Sequence, residues 1–293
     1  MFADMCKFKN HFAKGVNLFE IGKYTDAINE LSEAIKLQPG NDELYYNLGL
    51  CNYESASYSA AIINFTKAIL IKSYDTGYLF ARAMAYTALE QLPNALKDMD
   101  KLIELNPSNY EAMLLRGMVL FDLEEYELAI EDFLSAIKLD DGSCVAHIKL
   151  GYCYMALNIN DLAIVNFSKV LEINADDQEA IKGRAAAKMA CLDYANALQD
   201  FAIAQKNDPN DLEVLFGMGK CHLFLSNFIE AIDCLCRAVT AGGPSPQIYN
   251  DLGLAWFHQG DSQQARDYYQ KALAIDPGYK PALENLTLLQ EFK

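Results

Sequence analysis

The sequence predicts an all-α protein, an α-solenoid of eight antiparallel helix pairs, and three observations carry that prediction. First, the alanines Ala27, Ala61, Ala95, Ala129, Ala163, Ala197, Ala231 and Ala265 follow one another every 34 residues without insertion or deletion. Alanine fills roughly one position in ten of ordinary sequence, so eight such placements arise by chance about once in 10⁸ frames. Second, other columns keep the same beat. A large residue comes four after each alanine (Leu31, Phe65, Met99, Phe133, Phe167, Phe201, Leu235, Tyr269), and Gly or Ala stands twelve before it (Gly15, Gly49, Ala83, Gly117, Gly151, Ala185, Gly219, Gly253). Third, apolar residues inside each unit recur at spacings of three and four, the period of a helix rather than a strand.

The units start near residues 8, 42, 76, 110, 144, 178, 212 and 246 and run to 279. Each reads as a helix A and a helix B. In the unit beginning at Tyr110, A is expected over Tyr110–Leu123 and B over Tyr126–Leu139, and the short join makes them antiparallel neighbours. Gly or Ala at the eighth position of A and Ala at the twentieth, in B, let the backbones approach. Pro39, Pro107, Pro209 and Pro277 close four units, because proline cannot continue a helix. Pro93 falls at the start of a B helix, where its missing N–H is harmless. One pair cannot bury its own apolar face, so the pairs must stack. Residues 280–293 place Ala282, Leu286, Leu289 and Phe292 on one side and Glu284, Gln290 and Glu291 on the other, the pattern of a helix that caps the last unit. At the other end the first seven residues are too short for a comparable cap, so either Phe2 packs on the first unit or something else covers it.

These columns resemble the tetratricopeptide repeat family, whose pattern is a bulky residue, Leu-Gly, Tyr, Ala, Phe, Ala and then Pro. The second and eighth units match most fully, with Tyr45, Leu48 and Gly49 in one and Tyr249, Leu252, Gly253, Trp256, Ala265, Tyr269, Ala272 and Pro277 in the other. The resemblance covers residues 8 to 279 and implies a right-handed superhelical α-solenoid. The shared residues are packing residues, so function must come from the site.

Composition narrows the partners. Hydrophobic residues make up 52% of 293, enough for a core, and 40 acids against 24 bases leave a formal charge of −16. Phosphate backbones and anionic lipid are repelled by such a chain. No apolar run spans a bilayer, and residues 1–14 lack the plan of a secretory signal. A cytoplasmic protein with reduced cysteines is expected; Cys51, Cys153 and Cys221 share the tenth column, a small buried slot. The sequons at Asn64, Asn166 and Asn285 read as accidental.

No constellation for catalysis, cofactor or metal is found. Glycines follow the packing column instead of a phosphate loop. His11, His147 and His222 fall in core columns, and Cys234 and Cys236 point to different helix faces.

In stacks of this kind the A helices line a concave surface. Positions four, seven, eight and eleven are assigned to the core, and two, five, six, nine, twelve and thirteen to the groove. That second face is largely apolar here: Phe12, Tyr46, Phe80, Met84, Leu114, Met118, Phe121, Ile148, Tyr152 and Phe216. An apolar strip where a surface helix should be polar marks a partner surface, and an amphipathic helix or extended apolar segment of another protein suits it. Asn47 and Asn250 are candidates to bond a peptide backbone, and Lys149, Lys182 and Lys220 to hold a carboxylate. Chaperone-binding members of the family carry a carboxylate clamp; at its five positions this chain has Phe12, Val16, Asn47, Gly77 and Ala81, and only Asn47 fits. The groove-asparagine ladder of members attached to sugar-transferring enzymes is likewise reduced to Asn47. The expected function is a non-enzymatic scaffold or adaptor without the clamp. The alternatives are a subunit of a larger assembly and the targeting domain of an enzyme, against which Met1 and the cap-like tail speak.

Overall fold

The computed structural model describes residues 2–291, with side chains over 4–289. The expected roles of Phe2, Gln290, Glu291 and Phe292 fall on side chains outside the described residues. Seventeen α-helices and no strand are found among the described residues. The chain divides into two compact units, Met1–Ala146 and His147–Lys293, with the boundary inside a helix.

The first unit holds α1 (Phe2–Glu20) with α2 (Tyr24–Leu37), α3 (Asp42–Glu54) with α4 (Tyr58–Ile71), α5 (Thr76–Ala88) with α6 (Leu92–Leu105), and α7 (Tyr110–Asp122) with α8 (Tyr126–Leu139). The second pairs α9 (Cys144–Ala156) with α10 (Asn160–Ile173), α11 (Gln178–Ala190) with α12 (Tyr194–Asn207), α13 (Leu212–Phe224) with α14 (Phe228–Gly242), and α15 (Pro246–His258) with α16 (Ser262–Ile275). The last helix, α17 (Lys280–Glu291), packs on α16, burying Ala282 and Leu289 in one cluster with Ala265, Tyr269 and Ala272. Within each unit the B helix of one pair also packs on the A helix of the next. Pro93 sits in the first turn of α6, as its spacing predicts.

The alanine column is completely buried, and the large residue four places on is the hub of each pair. A Cβ added to Gly117 would lie 2.8 Å from the Phe133 ring, so only Gly, or Ala with a small shift, admits the ring. Phe167 is enclosed from both sides: a Cβ at Gly151 of its own pair would lie 2.8 Å away, and one at Gly183 of the next pair 2.6 Å. The sixth position therefore does not belong wholly to the groove, as the sequence suggests. At Ala81, Gly183 and Gly217 it is buried, and in the last two it receives the preceding pair's aromatic ring.

Three periodic devices escaped the sequence reading. The residue before each A helix from α3 to α15 caps it: Asn41, Asp75, Asn109, Ser143, Asp177, Asp211 and Ser245 each accept a backbone N–H from the first turn. The A–B turn passes through a left-handed residue at Gly22, Ala56, Glu90, Glu124, Asn158, Leu192, Ser226 and Gly260. The next N–H reaches back to close the helix end, as in Asp193 N to Lys188 O at 2.9 Å. Third, the seventh position is not uniformly apolar. Arg82, Arg116 and Arg184 stand there, each donating twice to the buried Asp98, Asp132 or Asp200 of its own B helix, at 2.6 to 2.9 Å. Their remaining nitrogen donates to Thr66, Asp100 or Ser168 of the preceding B helix, so one guanidinium ties three helices together.

Candidate functional site

The A helices are short and similar, and their fifth, ninth and twelfth positions share one face by the helical period. In the first unit that face carries Phe12, Tyr46, Phe80 and Leu114 at the fifth position, Met84 and Met118 at the ninth, and Phe121 at the twelfth. All seven are half-buried: their flanks pack on neighbours while part of each remains open to solvent. Phe12 stacks on Phe8 at 6.0 Å, Phe121 meets Tyr126 edge-on, and the Tyr46 ring lies 4.8 Å from Tyr78. Burial raises the Tyr46 phenol above its ordinary value, and Tyr78 donates to Asp42 at 2.8 Å. Exposed acids flank the apolar floor at Glu20, Glu43, Glu54, Glu111 and Asp122.

In the second unit the same face is more polar. Tyr152 and Phe216 are half-buried, but Ile148 is 6% exposed and belongs to the core. Lys149 and Lys182 are not free cations. Lys149 lies 3.8 Å from Glu179, and Lys182 lies 3.1 Å from the cap Asp211 and 3.0 Å from Glu213, each pair joining one A helix to the next turn of chain. A ligand carboxylate at Lys182 would have to displace two acids already there. Asn47 donates to its own helix at Glu43 O, 2.7 Å. Asn250 is 4% exposed and accepts from Asn285 Nδ2 at 3.0 Å, so it links α15 to α17. Burial removes Ile148 and Asn250 from the set of groups open to a partner.

Lys149 and Lys182 are thus engaged by acids, while Lys220 lines a cleft of its own. With Leu223 and Phe224 of α13 and Asp251, Leu254 and His258 of α15 it lines a cleft of about 180 Å³. Its ammonium lies 5.5 Å above the Phe216 ring. Among the described residues Asp251 accepts only from Asn250 Nδ2, at 3.3 Å, and burial pushes its carboxyl up to about 6 against the opposing pull of Asn250 and Lys220. The cleft walls are held by stacked rings: Phe224 on Tyr194 at 4.6 Å, and His258 on Phe228 at 5.1 Å. Asp251 was missed by sequence reasoning, although a signal existed. It is the one acid in a sixth column otherwise filled by Ala, Asn, Leu, Lys and Gly.

Cys51, Cys153 and Cys221 are buried, which raises their thiols to about 11 or 12 and makes them poor nucleophiles. His147 is bonded to Asn166 inside α9 and α10, and His11 to Glu30. Among the described residues no group of three or more His, Cys, Asp or Glu is placed to hold a metal, and no helix is long and apolar enough to cross a membrane.

A family model described as "TPR repeat" matches residues 15–55, and two described as "Tetratricopeptide repeat" match residues 80–143 and 246–279. Among curated proteins the chain is similar to the DnaJ homolog subfamily C member 7 homolog of Schizosaccharomyces pombe, 32% identical over 37% of this chain and 24% of that protein. It is similar to serine/threonine-protein phosphatase 5 of Mus musculus, 34% identical over 33% of this chain and 19% of that protein. It also resembles the probable UDP-N-acetylglucosamine–peptide N-acetylglucosaminyltransferase SPINDLY of Hordeum vulgare, 31% identical over 33% of this chain and 10% of that protein. The chain thus spans less than a quarter of the length of these relatives. Among solved structures, YrrB, described as a TPR protein with an unusual peptide-binding site, shares the fold at a TM-score of 0.56 and 24% identity over 67% of this chain and 97% of its own. Cut9 with Hcn1, an APC/C hetero-tetramer, gives 0.61 and 16% over 95% of this chain and 55% of that one. With the 34-residue helix pair, its ring enclosed by small residues and three family models on one chain, this protein is a tetratricopeptide repeat protein of eight tandem repeats.

Proposed function

We propose that the protein is a non-catalytic adaptor that holds a helical or extended segment of another protein against the apolar face of its A helices. The observation that carries this reading is the run Phe12, Tyr46, Phe80, Leu114, with Met84 and Met118 beside it, half-buried on a face where a solvent-facing helix would be polar. Methionines adapt to varied partner shapes, and rigid aromatics supply area at low entropic cost. The peptide-binding site described in YrrB supports the same use of the fold. The acids flanking this face disfavour nucleic acid, and eight free thiols suit a reducing cytoplasm.

Replacing Tyr46, Phe80 and Met118 together with Ser should abolish partner capture, read by affinity purification and mass spectrometry beside the wild type, while far-UV circular dichroism stays unchanged. Retained capture would remove the proposal.

A second reading, a subunit of a larger assembly, draws on Ile63, Leu70 and Tyr74. These lie 57%, 77% and 74% exposed on α4 and the turn after it. Size-exclusion of the purified chain separates the readings, since an obligate subunit self-associates or aggregates when alone.

A further inference from the structure

The acids held at low exposure elsewhere show what a desolvated carboxylate requires in this fold. Asp98, Asp132 and Asp200 are 5%, 4% and 2% exposed, and each meets a bidentate guanidinium. Asp251 differs from them: it is half-buried and lines the α13–α15 cleft with an amide as its hydrogen-bond partner, and among the described residues no cation stands within ion-pair distance of it. Lys220, the nearest candidate, directs its ammonium over the Phe216 ring. A carboxylate even partly withdrawn from water without a counter-charge is costly.

We infer that this cleft takes the side chain of a lysine or arginine presented by the bound segment, its alkyl stem against Leu223 and Leu254 and its cation at the Asp251 carboxylate. The inference rests on the A-helix face being the partner surface. About 180 Å³ is the scale of one long side chain rather than of a cofactor. Apolar walls from Leu223, Phe224 and Leu254 with a single acid among the lining residues suit a side chain with an apolar stem and a charged tip. Phe224, 62% exposed at the rim, offers a ring face to the passing cation. A net charge of −16 steers basic segments toward the chain. Lys220 opposes the incoming charge, so its removal should strengthen binding while removal of Asp251 weakens it. A site for a carboxylate would respond the other way to both.

Methyl NMR of the full chain, with the Leu223 and Leu254 signals followed during titration, tests this. The probes are n-butylammonium, n-butylguanidinium, n-pentanol and n-pentanoate. The two cations should shift both methyls, with pentanol weaker and pentanoate weakest. Asp251→Asn should weaken n-butylammonium about tenfold, a loss appropriate to one charged hydrogen bond, and Lys220→Gln should strengthen it severalfold. Unchanged methyl signals elsewhere in each variant would show that the fold is intact. Preferential binding of pentanoate, the opposite response of the two variants, or no shift with any cation would overturn the inference. Partner capture that disappears in the Tyr46, Phe80, Met118 variant while the cations fail here would leave the adaptor reading standing and sink this one alone. Cation binding with capture retained in that variant would sink the adaptor reading, and with it the claim that a bound segment presents the side chain, leaving only the cation preference of the cleft.

Discussion

Leu192 occupies a backbone region that its side chain disfavours, with φ at 63° and 71% of the residue exposed. Gly22 and Gly260 fill the same turn position without that penalty, so the conformation belongs to the turn and not to its occupant. Leu192→Gly should stabilise the protein by about 1 kcal/mol, because the left-handed strain of an L-residue exceeds the extra unfolded-state entropy of glycine. Urea unfolding should show a raised midpoint at unchanged slope, and a lowered midpoint would refute the strain argument. Asp251 makes the complementary case. Its pKa is raised from 3.8 to about 6, so this group favours the fold while protonated, and that contribution is lost as pH rises through about 6. Asp251→Asn should therefore raise the melting temperature at pH 7.5, by a stability increment of about 1–2 kcal/mol after allowance for partial solvation. The gain should vanish below about pH 4, where both forms are uncharged. A gain that persists at low pH would point to packing rather than charge.

At the scale of the helix pair, the seventh and twenty-third positions act together. Arg116 and Asp132 form the buried clasp in the fourth repeat, whereas the second and fifth repeats place Leu48 opposite Asn64 and Leu150 opposite Asn166. Each of those asparagines donates to the carbonyl one turn earlier, at 2.9 and 2.8 Å, so it is satisfied without a cation. Asp132→Ala alone should cost about 3 kcal/mol, because Arg116 is left partly desolvated without its main partner. Arg116→Leu with Asp132→Asn imports the pair used elsewhere in the chain and should fall within about 1 kcal/mol of wild type. Chemical denaturation of the two single variants and the double closes the cycle, and simple additivity would show that the clasp is not a unit. The same asparagines belong to two of the sequons: Asn64 and Asn166 are buried at 9% and 8% exposure, which hinders glycan attachment in the folded chain.

For the molecule as a whole, stability is expected to be carried by nearest neighbours. Within each compact unit the contacts run from one helix pair to the next. Loss of α17 would uncover Ala265, Tyr269 and Ala272 and leave Asn250 without its bond from Asn285. Deletion of residues 280–293 should raise amide hydrogen exchange in α15 and α16 first, with α3 to α6 unaffected, as mass spectrometry of peptic fragments would report. Uniform loss of protection along the chain would contradict both the capping role of α17 and the local bookkeeping of stability.

The repeat was legible because it is periodic. Ala27 to Ala265 and the ring column pack in the same way eight times, and one sequence contains eight copies of that constraint. Residues such as Pro93 and Gly117 carry their reasons locally, in a missing N–H and a missing Cβ. Reading the cap column Asn41 to Ser245 or the Arg–Asp pairs needed no more information, only attention to polar columns as well as apolar ones. The candidate site is different in kind. Tyr46, Phe80 and Met118 could be assigned to a face from helical period, but their degree of exposure depends on what the neighbouring helices leave uncovered. Lys182 and Asn250 look like free polar groups in one dimension; only the folded chain brings Asp211 and Glu213 to the first and Asn285 to the second. Asp251 is marked in the sequence only as the one acid of its column; that it lines a cleft without a counter-charge is decided when α13 and α15 come together. Helix period and steric fit act along the chain and repeat with it, whereas desolvation and charge pairing depend on which distant residues arrive at one place, and that is settled by tertiary packing.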